Sequence, residues 1–315
     1  MTTENRTLAY RRFARTLKTV SLACVAACSM VSCYNETIPP QSEFDTPLLI
    51  SAGVGQLPSR NAVTGNVLGS GSSIGVTVVD KSGTDYQEQG YHNVCYTAST
   101  ASDGSQQWTS TDPIMLSGES GTLYAYYPYR ANTDIENINI DLTGDGVEDW
   151  MYATEVTELS SDNSHAQIKL NHALAKLKIS LVKGNFVGEG KVSSIALTST
   201  TAATGATLNA RTGQLSNIKS AGTKLVYPVN QNLSDVPVEV DLLFVPTQQE
   251  ANIKIDVTVD DKHYTATSTT SVTTTSGQSY SYTLVQNNVK LEISQVTVTP
   301  WHDNPQGTLE TDKVK

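Results

Sequence analysis

The sequence predicts an all-β fold of sandwich or barrel type, and three observations predict it. Apolar residues recur at every second position in short runs. Past Ser32, no stretch keeps helical spacing for three turns. Thr, Ser, Gly, Asn and Val fill much of the 315-residue chain, a mixture that favours strands and turns. Charged residues make up 17%, against about 25% in an average soluble protein. Hydrophobic residues at 38% suffice for a core but not for several membrane spans. The 21 basic and 31 acidic side chains give a net −10, which argues against a nucleic-acid partner, because phosphates need a basic face.

The first segment differs from the rest. Arg11, Arg12, Arg15 and Lys18 precede the apolar stretch Thr19 to Ser32, which is shorter than the ~20 residues of a membrane span. That layout is a secretory signal over residues 1–32. It ends at Met30-Val31-Ser32-Cys33 and turns polar at once, the pattern of a lipid-attachment site whose thiol is acylated at Cys33. Cys28 is the rival, but cleavage there leaves an apolar Met30-Val31 stub. Removing residues 1–32 leaves 16 basic and 30 acidic side chains, a net −14. A chain so acidic is repelled by anionic headgroups, so acyl chains must anchor it, at ~0.8 kcal/mol per buried CH₂. Cys95 then has no disulfide partner and reads as a small buried hydrophobe.

The body follows a linker over 33–45. Leu48, Ile50, Ala52 and Val54 share one face of a strand that Gly53 and Gly55 weaken. Arg60 sits in the Pro58–Ala62 loop and is the only Lys or Arg between Cys33 and Lys81. Such exposed tips are where proteases cut. Further runs are Ile74/Val76/Val78, Val238/Val240/Leu242/Phe244 and Ile253/Ile255/Val257/Val259. The last returns through Asp260-Asp261 and Tyr264 as a hairpin. Apolar positions are even from Ile168 to Leu174 and odd from Leu177 to Leu181, so a bulge or bend is expected near Ala175-Lys176. The polar Ser160–Ser164 stretch places a domain boundary near 165, dividing 46–165 from 166–302, with a polar tail at 303–315. The Thr/Ser-rich stretches 198–207 and 265–275 read as edge or exposed strand. Val289, Leu291 and Ile293 share a face, whereas Val296 and Val298 have the opposite parity, so the phase changes near Ser294-Gln295.

Motifs for chemistry are weak. Asp141 to Asp149 spaces oxygens like a calcium loop, but position 12 is Tyr152 rather than a bidentate Glu. An acidic Gly-rich hairpin is the better reading. Gly71-Ser-Ser73-Ile-Gly75 spells a nucleophile elbow, yet a β run follows where a helix is needed. The five His are scattered without zinc spacing, and His172 reads as a packed or hydrogen-bonded residue. Tyr124, Tyr126, Tyr127 and Tyr129 could stack on sugars, though alternating Tyr more often fills one strand face. No catalytic residue, cofactor or metal is expected.

Several segments in order resemble a known family. These are the lipid-attachment site, the early strand, the Arg60 loop, Ser73-Ile-Gly-Val76, the Tyr-rich strand ending in Pro128, Asp149-Trp150-Met-Tyr-Ala153, Asn171-His-Ala-Leu-Ala-Lys-Leu177 and a late strand ending at Trp301. Together the set resembles the fimbrillin family of type V pilus subunits of Gram-negative anaerobes. The resemblance implies two transthyretin-like β-sandwich domains in tandem, in a lipoprotein of the outer membrane and cell surface that serves adhesion. It implies that an Arg-specific surface protease, here acting at Arg60-Asn61, removes the first strand. The emptied groove then takes a strand from another pilus subunit, and Val289, Leu291, Ile293, Val296 and Val298 are the candidate donor. Equally, these five residues are the last strands of the second domain. The other functional reading is a monomeric surface glycan-binding lipoprotein, against which only three Trp weigh.

Overall fold

The computed structural model describes residues 46–55, 68–88, 90–102, 105–143 and 147–301. Cys33, Arg60, Asn61, the leader, the linker and the polar tail lie outside the described residues. Apart from a single 3₁₀ turn at Tyr86–Glu88, regular structure among the described residues is β-strand. The all-β expectation holds.

The first sheet has the spatial order Leu49–Val54, His165–His172, Met151–Ala153, Gly121–Tyr127, Ser73–Asp80, Tyr91–Thr100 and Gln106–Thr109, with Val156–Leu159 also paired to Gly121–Tyr127. It curls so far that its two end strands approach each other. Its core runs from Leu48 through Ile74, Val76, Leu123 and Ile168 to Leu170.

The second half is a sandwich. One sheet runs Ala202–Ala203, Val238–Pro246, Ala175–Lys183, Gln278–Gln286 and Leu291–Pro300; the other runs Leu225–Asn232, Lys191–Thr198, Lys254–Val259 and Lys262–Thr267. Leu177, Ile179, Phe244 and Tyr282 of the first meet Ile195, Ile255, Val257 and Tyr264 of the second in one core. The predicted hairpin is present: Asp260 and Asp261 both take positive φ, 47° and 60°. That pair of angles matches the right-handed twist of the flanking strands.

The predicted phase change is a change of sheet. His165–His172 belongs to the first sheet and Ala175–Lys183 to the second, with Ala173 and Leu174 buried between them. The chain therefore passes from one sheet to the other at 173–174. Strands also cross between the halves, since Ile138–Asp141 pairs antiparallel with Gly205–Asn209. A third core at this junction gathers Tyr126, Ile140, Trp150, Leu174, Ala206, Val245 and Trp301.

Two local expectations are corrected. The stretch 198–207 is not an exposed strand, though Ala202–Ala203 is an edge strand as the reading allowed: Thr201, Ala203 and Ala206 are fully buried, and Gly205–Asn209 pairs beside Ile138–Asp141. Its hydroxyls have partners, as Ser199 Oγ donates to Asn252 O at 3.0 Å. Gly205 permits the close approach, because a Cβ there would lie 2.7 Å from Ile140 O. Cys95 is half-buried rather than buried and stays a free thiol.

Candidate functional site

Two strand edges and the junction between the sheets make up the candidate site. The first edge is the opening strand. Thr46–Pro47 pairs with Met115–Leu116, and Leu48 N donates to Ile114 O at 2.9 Å. Leu49–Val54 then runs parallel to His165–His172, with Leu49 opposite His165 and Val54 opposite Leu170. Leu48, Ile50, Ala52 and Val54 are buried as their spacing predicts, while Leu49 is 57% exposed. In the sheet order this strand is terminal, and among the described residues its ladder joins it to one neighbour only. It ends at Gly55, whose φ of 68° favours glycine.

The second edge is the closing strand, Leu291–Pro300, which pairs antiparallel with Gln278–Gln286. The predicted phase change is a β-bulge: Ile293 lies opposite Leu284 and Gln295 opposite Thr283, so Ser294 is the extra residue. Residues opposite each other share a face. The bulge therefore brings Leu291, Ile293, Val296 and Val298 to the same core side as Gln286, Leu284, Tyr282 and Tyr280. Only the first half of the strand uses that face. Leu291 is buried and Ile293 packs on the core, but Val296 is 45% and Val298 48% exposed. Val289 precedes the strand and is 86% exposed.

A groove of about 650 Å³ opens where the core side is uncovered, lined by Thr265, Thr267, Thr270, Tyr282, Ile293 and Val296 among others. The Tyr282 hydroxyl is buried here and finds no hydrogen-bond partner among the described residues. Burial, with Tyr280 alongside, pushes it up to about 12. An unsatisfied buried hydroxyl is a cost that phenylalanine avoids. Tyr282→Phe is therefore expected to stabilise the fold by about 1 kcal/mol, read as a raised urea midpoint at constant slope. A lowered midpoint would show that the hydroxyl is bonded.

The junction unites residues far apart in sequence. His172 is buried, with Nδ1 2.7 Å from Asp149 Oδ2. Its ring stacks on Trp301 with centroids 3.6 Å apart and planes at 5°. Lys176 Nζ lies 4.2 Å from the Trp301 ring centroid and 3.9 Å from Asp241 Oδ2. Trp301 N donates to Gly277 O, and Gly277 N to Leu174 O. His172 is thus packed and hydrogen-bonded, as expected. Asp141 and Asp149, spaced like calcium-loop ligands, turn to separate partners: Asp141 accepts from Thr143 N and Oγ1, at 2.9 and 2.7 Å. Tyr126 is fully buried, and Tyr124 lies under Arg211. Sequence reasoning quoted Asp149, His172, Lys176 and Trp301 separately but did not assemble them. Three separate motifs meeting in one cluster was the signal.

The sequence profile described as fimbrillin-like matches residues 61–301. Among solved structures, a candidate cell adhesion protein from Bacteroides ovatus shares 20% identity, with 82% of this chain and 98% of that chain covered and a TM-score of 0.65. Another from Bacteroides uniformis also shares 20% identity, covering 82% and 99% with a TM-score of 0.63. These two likenesses establish the fold. No curated protein sequence matches the chain.

Proposed function

The chain belongs to the fimbrillin-like family, and on that premise we propose that it matures and assembles by exchange of β-strands. Its family is one of structural fimbrial proteins at the cell surface, not of enzymes. The finer steps are our reading. Cys33 is acylated and tethers the precursor to the outer membrane. An Arg-specific protease cuts Arg60-Asn61, which frees the opening strand from the chain that follows it. A neighbouring subunit's closing segment then fills the slot, and the resulting fibre serves adhesion.

One observation carries this reading: the opening strand occupies a sheet edge and is laddered to His165–His172. Its departure bares one row of backbone donors and acceptors on His165–His172, together with pockets at the places of Leu48, Ile50, Ala52 and Val54. Such an edge is a template for strand addition. Each inward apolar side chain of a replacement is worth roughly 1.5–3 kcal/mol. The Ser294 bulge limits how the donor can lie. Straightened into a regular strand, it sends either Val289, Leu291 and Ile293 or Val296 and Val298 into the slot, because their parities differ.

The test compares wild type with Arg60→Ala after limited digestion by an Arg-specific protease. Wild type is expected to lose its N-terminal segment and to form a ladder of oligomers on gels and fibres under the electron microscope. Arg60→Ala is expected to stay monomeric. Wild type that is cut yet remains monomeric, or a variant that polymerises equally well, overturns the reading.

A further inference from the structure

Along a backbone ladder that runs its whole length, the closing strand packs its side chains at its two ends and little between them. Leu291 is buried at its start, whereas Gln295 through Pro300 are exposed. Immediately past its end, Trp301 is only 7% exposed. The imidazole of His172 covers one face of the indole at stacking distance. That leaves the opposite face to the Lys176 ammonium, 4.2 Å from the centroid.

The clamp itself is rigid. Asp149 fixes the imidazole through Nδ1 at 2.7 Å. Ala173, one residue on from His172, is bonded from both sides: its N donates to Trp150 O, and its O accepts from Ser276 Oγ at 2.7 Å. Gly277 then links Leu174 to Trp301 through the backbone. His172 closes the last strand of the first sheet, and Lys176 opens the first strand of the second. The indole is therefore gripped between the end of a first-sheet strand, at His172, and a strand of its own sheet, at Lys176.

We propose that Trp301 is a latch, clamped between His172 and Lys176, that keeps the closing strand on its own subunit until a neighbour's slot competes for it. This rests on the strand-exchange reading and adds to it a step: withdrawal of the indole precedes donation. The strand's exposed half contributes little side-chain packing, so the aromatic stack and the cation–π contact are the main side-chain hold added to the ladder at that end. Nothing else in the closing strand beyond Ile293 is packed comparably.

Amide hydrogen exchange on the full-length uncleaved protein tests the latch without requiring assembly. Trp301→Ala is expected to speed exchange across residues 295–300 by about tenfold to a hundredfold. Protection in Ala175–Lys183 and Ser73–Asp80 should stay as in wild type. Trp301→Phe, which keeps a ring in the clamp, should restore most of the protection. Lys176→Met removes the charge but keeps the stem, so it should give a smaller loss in the same residues, and it stands in should Trp301→Ala fail to fold. Unchanged exchange across 295–300 in Trp301→Ala, or an equal rise throughout the sandwich, overturns the latch. The strand-exchange reading fails by a different result, cut wild type that never oligomerises, so the two failures are separable.

Discussion

Replacing Ala52 by aspartate is expected to detach the opening strand while the rest of the protein stays folded. Ala52 is 1% exposed and faces the first core opposite Ile168. A carboxylate placed there has no partner and costs several kcal/mol, whether it stays charged or takes up a proton. The chain has a cheaper way out. The strand's ladder joins it to one neighbour, so releasing it breaks that ladder and the short pairing at Thr46–Leu48, and uncovers Leu48, Ile50 and Val54. That burial is worth roughly 1.5–3 kcal/mol per side chain, offset by roughly 1–2 kcal/mol of backbone entropy regained for each freed residue. Release is thus the lower-cost response. Amide exchange should lose protection at residues 49–55, with Ser73–Asp80 still protected. Uncut Ala52→Asp should also accept a neighbour's strand, giving oligomers without proteolysis. Global loss of protection, or none at all, would show that the segment is an integral strand rather than a filler.

The register of the opening strand makes it a weak member of its sheet. A parallel edge pairing is weaker per residue than an antiparallel one, and Gly53 inside the strand adds to its entropic cost of ordering. The closing strand is marginal for another reason, since half of its inner face meets a groove instead of a sheet. Both segments are therefore poorer fits to their own subunit than the strands beside them. Exchange needs that inequality, and the latch at Trp301 restrains one side of it.

Much of this was legible locally. Alternation named the opening strand and its four inward residues, the paired aspartates marked the hairpin at 260–261, and the parity switch located the bulge at Ser294. Parity alone could not show that a bulge carries Val296 and Val298 round to the face of Leu291, because that depends on the partner strand. The bulge or bend expected near Ala175-Lys176 is a bend at 173–174, and parity could not show that the chain there leaves one sheet for another. The buried stretch 198–207 was misread because Thr and Ser usually line exposed strands. Here Ser199 Oγ donates to Asn252 O, Thr204 Oγ1 donates to Lys219 O, and the small Gly205 and Ala206 pair beside Ile138–Asp141. That pairing joins segments more than sixty residues apart, beyond the reach of any periodicity. The clamp on Trp301 was hidden likewise, since stacking on His172 spans over a hundred residues.

The centre of the first sheet should respond to substitution in the opposite way from its edge. Gly75 lies in Ser73–Asp80, flanked by Tyr91–Thr100 and Gly121–Tyr127, and pairs with Cys95 on one side and Tyr126 on the other. The Tyr126 ring folds across it, so a methyl group at Gly75 would overlap Tyr126 Cε1 and sit 2.5 Å from Asn93 Oδ1. Neither neighbour is free to retreat. Tyr126 Oη donates to Asn93 Oδ1 at 2.9 Å, accepts from Arg130 N at 3.1 Å, and the ring is fully buried. Overpacking of a core costs about 1–3 kcal/mol even where side chains adjust, and loss of the buried hydroxyl's bonds adds about 1–3 kcal/mol. Gly75→Ala is therefore expected to lower stability by about 3 kcal/mol or more, seen as a urea midpoint shifted down for the whole molecule. A central strand has ladders on both sides, so no local release relieves the clash, and protection should fall in all strands of the sheet together. Gly75→Ala/Tyr126→Leu, which removes the overlapping ring, should recover part of the loss. Protection lost at residues 73–80 alone would mean that the sheet does not act as a single cooperative unit.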